Sequence, residues 1–463
     1  MGLKIAGERV LVLGLGRSGR AATRLLFHVG AGTIIVNDNR EPNLLQKEMG
    51  ELTHIPQVQV VAGAHPRELL DDISLIIKSP GIKPNLPLLQ EAARRGINVI
   101  SEVELAYQFC PSPIAAITGT NGKTTTVALT GEMFRLQFPR VQVAGNIGFP
   151  LCDAVLQSSG GDYIVAELSS FQLASVREFR ARIAAVLNIS SDHLDYHGSM
   201  DEYMAAKRNI LLTQQPADWS VLNWDDSLTR ELGPFVQGKL LPFSRQDSLS
   251  PGVFIKDGTI LVNDGKENLP ICRAAEVRIP GDHNLENALA AAAVSWAAGV
   301  KRENIACALR SFPGVPHRLE EVAVVRDIKF VNDSKGTNPG ATIKAIKAIQ
   351  GSKILIAGGL DKGSDFCRLA RSLAKEEVKA LVLLGETAPL LAEAACGAGF
   401  NAVHMAADLP SAVKQAFHLA AAGETILLSP ACASWDMFRD YEERGEVFRS
   451  EILTLRENCC DEK

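Results

Sequence analysis

No CxxC pair occurs among the nine cysteines, which are scattered from Cys110 to Cys460 with only Cys459 and Cys460 adjacent. That usage excludes a disulfide framework and a structural zinc site, and it fits a reducing compartment. Positive charge is not in surplus either. Lys and Arg number 48 against 53 Asp and Glu, and the formal net charge of −5 gives no global basic field for nucleic acid or an anionic membrane. The first residues lack the basic n-region and unbroken apolar core of a secretory signal. The longest apolar stretch, 288–300, is Ala-rich, is interrupted by Ser295 and falls short of the ~18 residues a membrane span needs. Neither a solenoid repeat nor a low-complexity tract is present. The expectation is a cytoplasmic, monomeric enzyme acting on small molecules, with no nucleic-acid or membrane partner.

What is present is an ordinary globular composition, 46% hydrophobic and 22% charged over 463 residues. At roughly 150 residues per domain this suggests about three domains. Short β-branched runs alternate with Ala/Leu-rich helical stretches, as in parallel α/β units. Strands are expected at 10–13, 33–37 and 75–77, then at 114–117, 163–166 and 184–188, with hairpin material between 220 and 279 and a long helix at 284–298. A last series is expected at 329–332, 353–357, 380–384 and 425–428. Pro111-Ser112-Pro113 and Phe312-Pro313-Gly314-Val315-Pro316 are stiff breaks between the series. The predicted domains are therefore 1–111, 112–314 and 315–463. The predicted fold class is α/β: a Rossmann-like first domain, a P-loop ATPase-like central domain with a mainly parallel sheet, and a Rossmann-like C-terminal domain.

In the first series, the strand at 10–13 runs into Gly14-Leu15-Gly16-Arg17-Ser18-Gly19 and then a helix. That order aims free N–H groups at a diphosphate. Asp38 ends the next strand, where a Rossmann fold keeps its ribose-binding acid. Alone, this motif favours an NAD-dependent oxidoreductase, and it does not name the base. Ser79, in Ser79-Pro80-Gly81, adds a hydroxyl to the same crevice.

The second series opens with Thr118-Gly119-Thr120-Asn121-Gly122-Lys123-Thr124-Thr125-Thr126. This is P-loop-like, although Gly119 stands closer to Gly122-Lys123 than the GxxxxGK[ST] spacing requires. The physics survives: backbone N–H groups curl around phosphate, Lys123 neutralises it, and Thr124 offers Mg²⁺ a hydroxyl. Glu167 ends the strand at 163–166, where P-loop enzymes hold a further metal contact. Asp192-His193 ends another strand and makes His193 a candidate ligand, while His197 is left unassigned. By composition alone Lys207 reads as a surface lysine on a helix.

Thr118 to Thr126, Glu167-Leu168-Ser169-Ser170-Phe171-Gln172-Leu173 and Asp192-His193-Leu194-Asp195 resemble the Mur ligase family, ATP-dependent enzymes that form amide bonds in UDP-linked peptidoglycan precursors. Gly281-Asp282-His283-Asn284-Leu285-Glu286-Asn287-Ala288 is similar to the family's adenine-side motif, and 312–320 to its interdomain hinge. The resemblance implies ATP contacts from Gly119, Thr120, Asn121, Gly122, Lys123, Thr124, Thr125, Asn284, Asn287, Arg318, Asp333 and Lys335. It implies Mg²⁺, at two sites, held by Thr124, Glu167, His193 and a carbamylated Lys207, with Lys123, Glu167, His193 and Lys207 as the catalytic set. For the UDP-linked substrate it implies Gly14, Leu15, Gly16, Arg17, Ser18, Asp38, Asn39, Ser79, Asn146 and Ser169, which reassigns the dehydrogenase-like turn.

The segment 428–445, with Pro430-Ala431-Cys432-Ala433-Ser434-Trp435, resembles the D-glutamate-adding branch of the family. It implies UDP-N-acetylmuramoyl-L-alanine and D-glutamate as substrates, with Thr337, Lys362, Ser429 and Phe438 around the amino acid. The Asp-Asn-Pro-Arg segment of diaminopimelate-adding relatives is absent, and the alanine-adding relative carries histidine where this chain has Asn121. Another amino-acid-adding member, or folylpolyglutamate synthetase, is the alternative.

Overall fold

The computed structural model describes residues 3–361 and 363–460. Strands β1 (Arg9–Leu13), β2 (Thr33–Asp38), β3 (Val58–Ala62), β4 (Leu75–Lys78) and β5 (Asn98–Ser101) make a parallel sheet in the order β3–β2–β1–β4–β5. Val10 to Leu13 are wholly buried, as a strand covered on both faces requires. Helix Arg17–His28 lies so close that a Cβ at Gly19 would stand 1.8 Å from the Gly14 carbonyl oxygen, and only glycine permits that approach.

A second parallel sheet contains β6 (Ile114–Thr118), β7 (Val141–Gly145), β8 (Tyr163–Glu167), β9 (Ile183–Val186), β10 (Trp219–Leu222) and β11 (Lys239–Leu240), ordered β11–β10–β9–β6–β8–β7. The expected hairpin region thus begins later than the sequence suggests. β10 is a buried parallel strand, and antiparallel pairing starts with β13 (Gly252–Lys256), β14 (Thr259–Asn263) and β15 (Asn268–Arg273), with β12 (Phe243–Ser244) at the edge of this four-stranded sheet. Ser220, Val221 and Leu222 are fully buried, so β10 belongs inside. Strands β3, β5 and β7 escape a hydrophobic-run search because at least half of the residues in each are only partly buried or exposed.

These lobes share one core. Ala21, Leu25, Val103 and Ala106 of the first lie in the same apolar cluster as Leu151, Cys152, Phe179 and Ile210 of the second. Burying each such Leu or Ile side chain is worth about 1.5–3 kcal/mol. Polar contacts fix the register: Arg24 donates twice to Asp153 at 2.9 and 2.7 Å, and the buried Glu104 carboxylate accepts the N–H groups of Arg177, Glu178 and Phe179. Glu102, also buried, accepts the Cys152 N–H at 2.7 Å. Burial pushes its carboxyl up to about 7 despite that bond.

The chain divides into compact units at Phe312/Pro313, inside the second proline break, while residues on both sides of 111 belong to one unit. The second unit holds β16 (Glu320–Val325), β17 (Ile328–Asn332), β18 (Lys353–Gly358), β19 (Val378–Leu384), β20 (Val403–Met405) and β21 (Thr425–Leu428), ordered β16–β17–β21–β18–β19–β20. Only the β16–β17 pair is antiparallel, joined through Arg326 and Asp327 at φ 50° and 63°. Alternation along β18 sends Leu355 and Ala357 to one core and Ile354 and Ile356 to the other.

Candidate active site

β6 delivers the 119–123 turn at the middle of the second sheet. Gly122 has φ +82°, and a Cβ there would come within 2.1 Å of Asn287 Oδ1, so backbone and neighbour both demand glycine. Lys123 then opens helix Lys123–Arg135, aiming its first N–H groups at the turn. The Lys123 ammonium donates to the carbonyls of Gly119 and Thr120 at 2.9 and 2.8 Å. Asn188, two residues past β9, accepts the Asn121 N–H through its side-chain oxygen at 2.8 Å, and its backbone carbonyl accepts the N–H of Thr120 at 2.9 Å. Thr124 and Thr125 are buried in the first helical turn. Under the turn, Thr126 Oγ1 donates to Asn287 Oδ1 at 3.3 Å, and Asn287 Nδ2 donates to Asn284 Oδ1 at 3.2 Å.

Lys207 is not a surface lysine. It is 1% exposed, and its ammonium donates to the Gly119 carbonyl at 2.8 Å, the same oxygen that Lys123 approaches. Burial, with the Lys123 charge adding to it, lowers its pKa to about 7; Asp192 opposes weakly. Tyr203, one helical turn earlier, places its ring 4.6 Å from Nζ and hydrogen-bonds Thr120 Oγ1 at 3.0 Å. The i, i+4 spacing of Tyr203 and Lys207 on helix Met200–Arg208 puts both on one face.

Glu167 ends β8 with 1% exposure. Asn146 Nδ2 donates to Oε1 at 2.8 Å, while Oε2 has no hydrogen-bond partner among the described residues. A buried carboxylate oxygen without a donor suits a cation, and carboxylate plus threonine hydroxyl is the hard oxygen set that Mg²⁺ prefers. Among the described residues no three His, Cys, Asp or Glu side chains are grouped to hold a metal by themselves. His193, at φ +53°, keeps its ring 4.7 Å from Phe171 and its Nε2 3.5 Å from Asp192 Oδ2. His197, unassigned from sequence, stacks on Phe171 at 4° and meets Ser170 Oγ at 2.9 Å. Ser169 caps helix Ser170–Leu173 in a capping box with Gln172, so its hydroxyl already has local work.

The first glycine turn is linked to the central lobe by side-chain contacts. Asp38 accepts the Leu15 N–H at 2.9 Å, and its two oxygens each accept from Arg40 at 2.9 Å. Burial alone would raise its pKa; Arg40 and the backbone donors outweigh that and hold it at about 2. Ser79 Oγ donates to the Gly14 carbonyl at 3.3 Å, whereas Asn39 is exposed. Arg17, in the turn, donates to the Gly148 carbonyl on the loop carrying Asn146. Lys78, beside Ser79, donates to Tyr196 Oη at 3.2 Å, and the Tyr196 ring meets Phe171 at 4.4 Å. Sequence reasoning did not single out Lys78 or Tyr196, because nothing local distinguishes a lysine at a strand end from a solvated one.

In the second unit, Asp333, Lys335 and Thr337 share the loop after β17. Asp333 is 6% exposed; burial raises its carboxyl to about 6, opposed by Ser429, whose Oγ donates to it at 2.7 Å. Ser429 is fully buried and also reaches Thr342 at 3.0 Å, so it ties the Asp333 loop to the next helix. Phe438 is half-buried and packs against the core. Lys335 sets its ammonium 5.1 Å from the Tyr441 ring, and buried Arg444 ties Ser334 to the Cys432 carbonyl. Arg318 is half-buried, with its Nε unbonded among the described residues. Lys362 lies outside the described residues.

Three family models match in chain order: "Mur ligase MurD-like, N-terminal domain" at 8–101, "Mur ligase middle domain" at 117–295 and "Mur ligase, glutamate ligase domain" at 317–432. A curated UDP-N-acetylmuramoylalanine--D-glutamate ligase of Caldanaerobacter subterraneus is 43% identical over 98% of this chain and 100% of its own. Those of Pelotomaculum thermopropionicum and Clostridioides difficile are 44% and 42% identical over 97% and 98% of this chain, covering 98% and 100% of theirs. Among solved structures, UDP-N-acetylmuramate-alanine ligase of Thermotoga maritima aligns with TM-score 0.60 at 19% identity, over 96% of this chain and 99% of that one. MurF ligase of the same organism, solved with ADP, aligns with TM-score 0.57 at 17% identity, over 97% and 96%. At such identities these two likenesses speak to fold.

Proposed function

The chain belongs to the Mur ligase family, and from that membership we infer that it is the ATP-dependent ligase joining D-glutamate to UDP-N-acetylmuramoyl-L-alanine. The observation that carries this reading is the 42–44% identity to D-glutamate ligases over nearly the whole chain, amino-acid-selecting unit included. The N-terminal match spans the Gly14 turn, which removes the reason for an oxidoreductase. ATP and Mg²⁺ serve the reaction, as in the family generally.

A free carboxylate is a poor acyl donor because oxide is a poor leaving group. The alanyl carboxylate attacks the γ-phosphorus of ATP, ADP leaves, and an acyl phosphate forms. The D-glutamate amine then attacks the acyl carbon, phosphate departs, and the nitrogen gives up its proton. Lys123 spreads the charge of the transferred phosphoryl group, and the N–H groups at the start of its helix hold the phosphate chain. In this reading Thr124, Glu167, His193 and a carbamylated Lys207 would hold Mg²⁺ at two sites, and the ions would neutralise charge between carboxylate and triphosphate. The lowered pKa of Lys207 supports the carbamate, since the free amine is the form that adds to CO₂. The sugar nucleotide lies along Gly14 to Ser18, Asp38 and Ser79 towards Asn146. In this reading Asp333, Lys335 and Arg318 bind ATP, and Thr337, Lys362, Ser429 and Phe438 bind D-glutamate. The three domains are 1–111, 112–314 and 315–463, working as a cytoplasmic monomer.

The test is phosphate release by the purified protein with ATP, Mg²⁺ and UDP-N-acetylmuramoyl-L-alanine across a panel of amino acids. D-glutamate alone is expected to trigger turnover. Release with L-alanine on UDP-N-acetylmuramate, or with diaminopimelate on the dipeptide precursor, would move the chain to another branch.

A further inference from the structure

Lys78 ends β4 opposite Leu13 of β1, at the point where the first sheet reverses its strand order. Crevices at such points are where open α/β sheets take ligands. The side chain is 3% exposed, yet its ammonium meets neutral oxygens, the Ile82 carbonyl at 3.1 Å and Tyr196 Oη at 3.2 Å. Burial lowers its pKa to about 8, and among the described residues no acid offsets that. An ammonium carries three N–H donors, so one remains beyond these two contacts. Holding a buried charge against neutral partners is unfavourable until an anion arrives.

The surroundings say where that anion sits. Ser79, the next residue, reaches the Gly14 carbonyl, and the Ile82 side chain lies 3.8 Å from where a Gly14 Cβ would be. Lys78 therefore borders the turn whose N–H groups face a diphosphate, while Tyr196 holds it from the central lobe. We propose that Lys78 is a further substrate-binding residue, giving the nucleoside diphosphate its counter-charge between the Gly14 turn and Tyr196. The proposal rests on the ligase reading, in which a UDP-linked substrate enters this crevice. Tyr196 orients the ammonium and, through Phe171, connects it with the ring of His193.

The experiment compares UDP with uridine by calorimetric titration of the full-length protein, without ATP, for wild type, Lys78→Met, Lys78→Arg and Tyr196→Phe. Lys78→Met is expected to weaken UDP about tenfold or more while sparing uridine and the KM for ATP, and Lys78→Arg to restore most of the loss. UDP affinity within twofold of wild type in Lys78→Met overturns the proposal. Equal loss of uridine and UDP overturns it too, by assigning the lysine to structure. Should Lys78→Met fail to fold, Tyr196→Phe decides: a several-fold loss for UDP alone supports the role, and unchanged UDP affinity ends it. Wild type that neither binds UDP nor releases phosphate with the UDP-linked substrate would defeat the ligase reading itself. Wild type that does both, with Lys78→Met its equal, defeats only this inference.

Discussion

The two glycine turns of the larger unit share a strand–turn–helix plan but solve the charge of their ligands differently. At Gly122 the cations come with the turn: Lys123 opens the helix, and buried Lys207 converges on the same Gly119 carbonyl. At Gly14 the turn's own arginine, Arg17, donates to Gly148 across the lobe boundary, and the nearby acid Asp38 is neutralised by Arg40. In the proposed reading the first site gathers positive charge at a reacting phosphorus. The second holds a diphosphate that never reacts, through backbone N–H groups, the fixed acid Asp38 and, by the inference above, the single lysine Lys78. Catalysis gains from preorganised charge only where charge changes hands.

The sharpest way to break this contrast is Lys123→Ala. It is expected to lower kcat/KM by about a thousandfold or more, yet leave UDP binding unchanged, as read by coupled phosphate release and by titration. Equal losses at both turns would mean that the two sites are not chemically distinct. Next in size, Lys207→Ala should lose roughly a hundredfold in kcat, with partial recovery in millimolar short-chain carboxylates. Wild-type rates in that variant would remove the carbamate from the mechanism. The smallest effect concerns the shared core that keeps both turns in one body. Because the Glu102 carboxyl sits at about 7 when folded, against an ordinary value of 4.5, stability is greatest below that ordinary value. It falls by on the order of 3 kcal/mol as pH rises towards 7, then levels. Glu102→Gln retains an acceptor for the Cys152 N–H and should flatten this slope, so that the Tm difference between pH 5 and 8 shrinks by a few degrees. An unchanged slope would show that Glu102 ionises freely and that the lobe contact is wetter than its burial implies.

Much of this site was legible because its chemistry is local in sequence. Strand, glycine turn and lysine-led helix announce Lys123, and a strand-end acid announces Glu167. Lys207 shows the limit. Composition alone reads it as a surface lysine, yet it is 1% exposed and its ammonium reaches the Gly119 carbonyl. A motif says which residues occur and not which way each side chain points.

The sequence by itself determined the α/β class, the order of the lobes, the P-loop-like turn and the family, because periodicity, glycine spacing and motif order are written along the chain. Only the tertiary structure decided that Lys207 is buried, that two lysines meet at one carbonyl, that Glu167 keeps an open oxygen and that Lys78 faces Tyr196. Those facts join residues from separate strands and helices. Their energies depend on burial and on distance through space, neither of which any local pattern encodes.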